Sequence, residues 1–159
     1  MTSSPFRVAV VTPYYREEAA VLEQCVASVA AQTVPVTHFV VADGHPQPDL
    51  VDRFRVEHLV LPDAHGDNGN TPRAIGSLSA VNRGFDAIAY LDADNWYRPE
   101  HIERMVALQR RTGASVCTSG RTIHRLDGSF MLVDRESDGL RHVDTSCLFL
   151  TRDAFRLVP

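Results

Sequence analysis

The sequence contains no lysine, so all 16 of its basic residues are arginines. They are outnumbered by 20 acidic residues, which gives a formal net charge of −4 and an isoelectric point near 5.9. Sequence-independent binding to nucleic acid depends on the neutralisation of phosphates by basic side chains. We therefore expect no nucleic acid among the partners of this mildly acidic chain.

Cysteine is also scarce, with only Cys25, Cys117 and Cys147 present. Their odd number and wide spacing match neither a disulfide framework nor a zinc motif, and the seven histidines include no pair at the helical spacing of metal ligands. This usage predicts a reduced, cytoplasmic protein.

Long apolar runs are absent as well. No segment approaches the roughly 18 apolar residues of a membrane-spanning helix, and the N-terminal MTSSPFRVAVV has no cleavage signal. We expect a soluble chain, and peripheral attachment to the inner face of the membrane is left open.

Three glycine-dependent motifs are missing. No G-x-G-x-x-G follows the first apolar run, and neither G-x-x-x-x-G-K nor G-x-S-x-G occurs. These absences argue against a dinucleotide-binding dehydrogenase, a P-loop enzyme and an α/β-hydrolase.

What the sequence does contain is enough apolar material for one core, since 44% of its 159 residues are hydrophobic. A chain of this length fits a single domain, which we place over residues 1–159. Short Val-rich runs alternate with longer segments of helical periodicity. This alternation predicts an α/β fold with helices on both faces of a mostly parallel sheet.

Apolar runs predict strands at 7–12, 37–42, 56–61 and 87–91. Apolar stripes predict helices at 17–32, 72–85 and 99–111, the second with Thr71 as N-cap and Pro72 at the first helical position. Residues 45–49 and 62–70 are predicted as loops.

The pattern changes after Gly113. Leu126-Asp127-Gly128 predicts a hairpin turn between strands at 115–124 and 129–133, so we expect the sheet to become partly mixed. A last strand near 147–150 precedes a helix that starts at 151–153.

Polar side chains follow three of the predicted strands. Thr12-Pro13-Tyr14-Tyr15-Arg16-Glu17 follows the first, Asp43-Gly44 the second and Asp92-Ala93-Asp94-Asn95 the fourth. Ligands of open parallel sheets bind outside the carboxyl ends of the strands. We therefore expect the three clusters to converge on one crevice.

Asp92 and Asp94 are the candidate metal ligands. If the strand stays extended, both side chains point to the same side, where two carboxylates repel unless a cation lies between them. Hard oxygen ligands suit Mg²⁺ or Mn²⁺, with water and phosphate oxygens completing the shell. The alternative is that one Asp caps the following helix and the other is solvated, but the two neighbouring polar clusters favour the metal.

The other clustered residues each have two interpretations. Asp43 is either an acceptor for a base or ribose or the start of an Asx turn. Tyr14 and Tyr15 either stack on a base or fill the space between strand and helix. Glu17 lies in a first helical turn, where the dipole favours an acid. Arg73 opposes that dipole, which indicates an anionic partner, and its alternative is a solvated side chain.

Taken in order, these segments resemble family 2 glycosyltransferases of the GT-A fold. The resemblance rests on VAVVTPYYREE, HFVVADG, the arginine-containing helix start at 70–74, AIAYLDADNWYRPEHIERMV and HVDTSCLFLTRDAF. It implies a three-layer αβα, Rossmann-like GT-A domain with a mostly parallel, partly mixed central sheet.

The resemblance also implies a function, namely transfer of a sugar from a nucleotide diphosphate donor, with UDP the expected nucleotide, Mn²⁺ or Mg²⁺ the cofactor, and inversion the stereochemical outcome. The nucleotide-sugar site would comprise Thr12, Pro13, Tyr14, Glu17, Asp43, Gly44, Arg73, Asp92 and Ala93, with Asp94 and Asp92 holding the metal. The acceptor, whether a glycan, a lipid-linked molecule or a small molecule, is not indicated. A homo-oligomer is left open.

The chain departs from the family pattern in three respects. Asn95 stands where a third acid is usual, and Arg73 lies further from Asp92 than is usual. Family members also continue past this point with acceptor-side segments and an acidic catalytic base, which implies a chain that is short at its C-terminus.

Inverting transfer needs a carboxylate that accepts the proton of the acceptor hydroxyl. Helix surfaces, turns and a charged loop account for the other acids after Asp94, which leaves Asp144 as the candidate base. The alternatives are a capping role toward Thr145 or Ser146, or a base that lies beyond the sequence. His142 is a secondary candidate for a metal or acceptor contact.

Two further functions compete with transfer. One is a nucleotide-sugar binding module without turnover. The other is a phosphatase-like or phosphotransferase enzyme that uses the Asp-x-Asp pair as nucleophile and acid. That class carries its pair after the first strand, followed by Thr or Gly, whereas here the pair follows the fourth strand and precedes Asn95-Trp96.

Overall fold

The computed structural model describes residues 5–125 and 127–158. Its strands are β1 (Val8–Tyr14), β2 (Val36–Asp43), β3 (Glu57–Leu61), β4 (Ala87–Tyr90), β5 (Val116–Thr118), β6 (Thr122–His124), β7 (Phe130–Val133) and β8 (Leu148–Thr151). Its helices are α1 (Ala19–Ala30), α2 (Pro48–Val51), α3 (Asn70–Asn82) and α4 (His101–Thr112), with 3₁₀ segments at Thr145–Cys147 and Arg152–Leu157.

Six strands form one sheet in the order β3-β2-β1-β4-β8-β5, and β6 pairs with β7 in a separate antiparallel hairpin. The first four strands of that order run parallel, while β8 runs antiparallel to both β4 and β5. The predicted α/β fold with a mostly parallel, partly mixed sheet is confirmed.

The two faces of β1 contribute to different parts of the core. Val8 and Val10 belong to an apolar cluster with residues of α1 and α4, whereas Ala9 and Val11 belong to a cluster with Ala80 of α3. All seven residues of β1 are buried, which explains the continuous apolar run in its sequence. Gly76 lets α3 lie close to the sheet, because a Cβ there would come within 2.6 Å of Cγ1 of Val11.

The strand order reverses at β1. The chain steps outward from β1 to β2 and β3, and then returns to place β4 on the other side of β1. Connections before and after such a reversal diverge, which opens a crevice at the carboxyl ends of the strands. None of the described helices is both long enough and apolar enough to span a bilayer.

Two of the predictions about helices are wrong, namely the N-cap of α3 and the loop in which α2 begins. Helix α3 begins at Asn70 with Gly69 as its N-cap, so Thr71 is not the cap. Instead Oδ2 of Asp67 accepts hydrogen bonds from Thr71 N and Oγ1, at 2.9 and 2.6 Å. The predicted loop at 45–49 contains the start of α2, where Pro48 occupies the first turn.

The predicted strand at 115–124 is interrupted. Its first part is β5 in the main sheet and its second part is β6 in the hairpin. The backbone changes partner between them, since Ser119 N donates to Cys147 O at 3.0 Å and Asp134 N donates to Arg121 O at 3.1 Å. The side chain of Arg121 pairs with Asp134 and Asp144 at the same point. The predicted turn does join two antiparallel strands, although Leu126 of that turn lies outside the described residues. The hairpin forms its own sheet, however, so the mixed part of the main sheet comes from β8 and not from the hairpin.

Candidate functional site

A cavity of about 500 Å³ opens at the carboxyl ends of β1, β2 and β4. Its volume falls in the range of small-molecule sites, roughly 300–1,000 Å³. The lining comes from the strand ends, the loop before α3 and the first turn of α3: Pro13, Tyr14, Tyr15, Glu17, Asp43, Gly66, Asp67, Asn68, Gly69, Pro72, Arg73, Asp92, Ala93 and Asp94.

Eight of the residues predicted for the site line this cavity: Pro13, Tyr14, Glu17, Asp43, Arg73, Asp92, Ala93 and Asp94. Thr12, Gly44 and Asp144 do not. The sequence did not identify Gly66–Gly69 or Pro72 as site residues. The loop between a parallel strand and the next helix always lies at the ligand edge of the sheet, and this rule would have found them.

Thr12 is fully buried on the α1 side of the sheet. Its Oγ1 lies 2.8 Å from Nε2 of the buried His38 and 4.0 Å from Sγ of Cys25. Alternate residues of a strand face opposite sides, and Thr12 shares the side of Val10 rather than that of Pro13. The expectation that Thr12 contacts a base is therefore not met by its position.

Gly44 contacts a loop instead of the cavity. It has φ +77°, and a Cβ on it would lie 2.6 Å from the backbone nitrogen of Ala64. Glycine thus allows the chain after β2 to pass directly under the loop before α3.

Asp43 holds that same loop. Its side chain is 4% exposed, and its oxygens accept hydrogen bonds from His65 N, His65 Nδ1 and Gly66 N over 2.8–3.3 Å. Burial opposes ionisation of this carboxyl, but the hydrogen bonds from His65 outweigh it and lower the pKa of Asp43. The acceptor role expected of Asp43 is thus filled, in this structure, by the protein's own loop.

Arg73 points into the site and pairs with Asp92. Its NH2 lies 2.8 Å from Oδ1 of Asp92, and its NH1 donates to Asn70 Oδ1 at 3.2 Å. The arginine is buried, and its Nε has no hydrogen-bond partner among the described residues. Asp67 also lines the cavity, and its buried Oδ1 likewise has no hydrogen-bond partner among the described residues.

The strand before the Asp-x-Asp pair does not stay extended. β4 ends at Tyr90, and Asn95 N donates to the carbonyl of Asp92 at 2.9 Å, which closes a turn over residues 92–95. The condition under which both carboxylates would face the same side is thus absent, although both Asp92 and Asp94 line the cavity. Asn95 does not line it, and its Nδ2 donates to Ser146 Oγ at 3.1 Å.

Of the two adjacent tyrosines, Tyr14 is buried and Tyr15 is exposed. Tyr14 is 2% exposed, and its hydroxyl accepts from Gln47 N and bonds Nε2 of His58, each at 2.8 Å. Tyr15 is 39% exposed, with His45 edge-on to its ring at 4.8 Å. Tyr14 therefore fills space, and Tyr15 offers the accessible ring.

Glu17 lies one residue before the N-cap of α1, and its Oε2 accepts from Tyr15 N at 2.6 Å. The carboxylate thus fixes the backbone that carries the accessible ring. The helix-dipole explanation is incomplete, because Glu17 precedes the helix.

Asp144 takes the capping role that was its alternative. It is the N-cap of the 3₁₀ segment, its Oδ1 accepts from Ser146 N at 2.9 Å, and its Oδ2 pairs with Arg121. It does not line the cavity, and neither does the exposed His142.

Acidic side chains outnumber basic ones in the lining of the cavity. It carries five carboxylates, on Glu17, Asp43, Asp67, Asp92 and Asp94, and one arginine, Arg73. Such a cavity favours cations over anions.

Residues 9–149 match the family model described as Glycosyl transferase family 2, and the chain belongs to this family. It is similar to the succinoglycan biosynthesis protein ExoW of Rhizobium meliloti (strain 1021), with 29% identity over 103 residues. That match covers 60% of this chain and 32% of ExoW, so the chain spans about a third of its curated relative.

The fold is similar to that of S. aureus TarS, with a TM-score of 0.64 and 19% identity over 75% of this chain and 23% of TarS. TarS 1-349 in complex with UDP gives a TM-score of 0.62 and 18% identity over 75% of this chain and 38% of that one. The architecture is accordingly that of the GT-A glycosyltransferases.

Proposed function

We propose that the cavity binds a nucleotide-diphosphate sugar, with UDP as the nucleotide and a divalent cation beside it, and that the chain transfers the sugar to an acceptor. The observation that carries the proposal is the set of five carboxylates and one buried arginine at the reversal of the strand order. Family membership supports it. The structures of TarS with UDP and with UDP-GlcNAc support the choice of donor.

Charge explains why a cation belongs to the proposal. A diphosphate is an anion and would be repelled by the carboxylates that surround Arg73. Mn²⁺ or Mg²⁺ between diphosphate and carboxylates turns that repulsion into attraction.

The residues present fit such an ion. Asp94 is exposed at the wall, and no partner for its carboxylate is found among the described residues. Asp92 uses one oxygen for Arg73 and has the other available. Within the described chain no three His, Cys, Asp or Glu side chains form a metal cluster. Mg²⁺, however, is usually bound by one or two carboxylates together with substrate phosphates and water.

When bound, the ion would stabilise the charge that develops on the leaving diphosphate. The chain's own residues then have separate tasks. Arg73, with its unpartnered Nε, contacts the diphosphate or the nucleobase, and the ring of Tyr15 stacks on the nucleobase. Asp43 fixes the loop that closes the other side.

Inversion and the identity of the catalytic base stay predictions. A base must lie within about 2.6–3.2 Å of the acceptor hydroxyl, and both oxygens of Asp144 are engaged elsewhere. The cytoplasmic location likewise stays a prediction, and the acceptor and a homo-oligomer are left open.

Calorimetric titration with UDP tests the proposal, first with Mn²⁺ and then with a chelator. We expect the affinity to fall at least tenfold in chelator. Asp94→Asn should remove most of that metal-dependent gain, whereas Asp153→Asn, which changes an exposed carboxylate outside the cavity, should preserve it. Equal affinity with and without Mn²⁺ would contradict the proposed role of the cation.

A second candidate is donor binding without turnover, favoured by the position of Asp144 outside the lining. Incubation with UDP-sugars and release of UDP separate the two. Binding without release of UDP in any acceptor mixture would identify a binding module. If Asp144 were the base, Asp144→Asn would abolish release and leave binding intact.

A further inference from the structure

The Asp92–Asn95 turn is supported from behind by one hydroxyl. Oγ of Ser146 accepts from Asp92 N at 3.1 Å and from Asn95 Nδ2 at 3.1 Å. A serine hydroxyl has two acceptor lone pairs, and here both are used on the same turn. Ser146 is buried and does not line the cavity.

Ser146 is itself fixed by its neighbours. Asp144 Oδ1 accepts from Ser146 N at 2.9 Å, and Asp144 pairs with Arg121. Arg121 also donates to Asp134 at 2.7 Å, at the end of the hairpin strand β7. A continuous set of polar contacts thus runs from the hairpin to the backbone of Asp92.

We propose that Ser146 is a positioning residue for the Asp92–Asn95 turn, and that Asp144 acts through Ser146 and not on the acceptor. The turn places Asp92 and Asp94 at the cavity, so its geometry sets where the diphosphate and its cation bind. This inference rests on the proposed function for its ligand, but its structural part does not.

Loss of the hydroxyl has a definite consequence. The N–H of Asp92 would lose its acceptor, and Asn95 would lose the contact that draws its side chain away from the cavity. The turn would then sample other conformations, and binding would select the minority that is competent.

The test compares Ser146→Ala with Ser79→Ala, whose hydroxyl bonds only a carbonyl of its own helix on the exposed side of α3. Amide exchange followed by NMR should quicken about tenfold at Asp92 in Ser146→Ala and stay unchanged in Ser79→Ala. UDP affinity in Mn²⁺ should fall about fivefold or more only in Ser146→Ala. Ser146→Thr, which keeps the hydroxyl, should restore both readouts.

Asp144 has its own variants. Asp144→Asn retains a side-chain oxygen that can cap Ser146 N, so UDP affinity should stay within about twofold of the parent. Asp144→Ala removes the cap and should weaken affinity as Ser146→Ala does.

Several results would overturn the inference. Faster exchange at Asp92 with unchanged UDP affinity would reduce Ser146 to a structural role, and unchanged exchange would remove it altogether. If the parent does not bind UDP, the proposed function fails, and the exchange at Asp92 alone decides whether Ser146 holds the turn.

Discussion

β1 and β7 are both apolar strands, yet every residue of β1 is buried and every residue of β7 is exposed. β1 lies between β2 and β4 with helices on both faces, whereas β7 pairs only with β6 among the described strands. Apolar composition therefore marks a strand, and the neighbours of that strand decide its burial.

The same division separates two contributions to the site. Every residue of the lining comes from the first part of the chain, up to Asp94. The later part, with β5 to β8, is hydrogen-bonded to the Asp92–Asn95 turn from behind, through Ser146. The parallel part presents the functional groups and the antiparallel part supports them.

The largest expected effect concerns burial itself. Phe39→Ala in β2 removes a fully buried ring that packs edge-on against Phe85 at 5.7 Å. We expect it to lower the free energy of unfolding by about 3–5 kcal/mol.

Phe130→Ala is the matched change in β7, where the ring is 55% exposed. We expect a loss of about 1 kcal/mol or less. Urea unfolding of both variants measures the difference. Equal losses would mean that β7 is covered in solution.

The second effect concerns His38, a buried histidine of the parallel part. Burial lowers the pKa of His38 to about 3. Between the unfolded value near 6.5 and that value, the unfolded chain binds a proton that the folded chain does not, so stability falls as pH falls.

The slope from His38 alone is at most roughly 1.4 kcal/mol per pH unit, or about 2–3 kcal/mol between pH 6.5 and 4.5. Urea unfolding at several pH values should show a shallower decline for His38→Gln than for the parent. Parallel curves for the two proteins would show that folding does not lower the pKa of His38.

The smallest effect compares two ion pairs. Arg121 is 32% exposed and reaches two carboxylates, whereas Arg53 and Glu23 form a pair that is 58% and 48% exposed. Arg121→Gln should cost about 1–2 kcal/mol. Arg53→Gln should cost less than about 0.5 kcal/mol. Thermal unfolding distinguishes them, and a neutral Arg121→Gln would show that the contacts of Arg121 with Asp134 and Asp144 do not stabilise the fold.

The sequence predicted the parallel part well because burial on two faces leaves an unmistakable apolar run. β4 was located within a residue, and the cluster at Asp92–Asp94 lies at the cavity as expected. The positions of Thr12 and Asp144 depend on contacts with His38 and Arg121, which are distant in sequence. No local pattern encodes such contacts, so the capping role of Asp144 could only be stated as an alternative, and the buried position of Thr12 was not predicted.

The interruption at 119–121 was missed for a related reason. Ser115–His124 has the composition of one β-rich run, and a change of backbone partner, from Cys147 at Ser119 to Asp134 at Arg121, divides it. Helix α2 was not predicted because its four residues are too few to show a helical period.

Cys25 lies directly beneath the site, with its Sγ 3.7 Å from the carbonyl oxygen of Asp92. Burial raises the pKa of its thiol to about 12, and all three cysteines are free and buried. Since the thiolate is the species that alkylating reagents attack, the folded chain should resist labelling at Cys25. Its modification rate, read by peptide mapping that separates it from Cys117 and Cys147, therefore reports how often the core opens under the Asp92 turn. A ligand that binds only the folded state slows that rate in proportion to its occupancy, which makes the native cysteine a reporter that needs no engineered label.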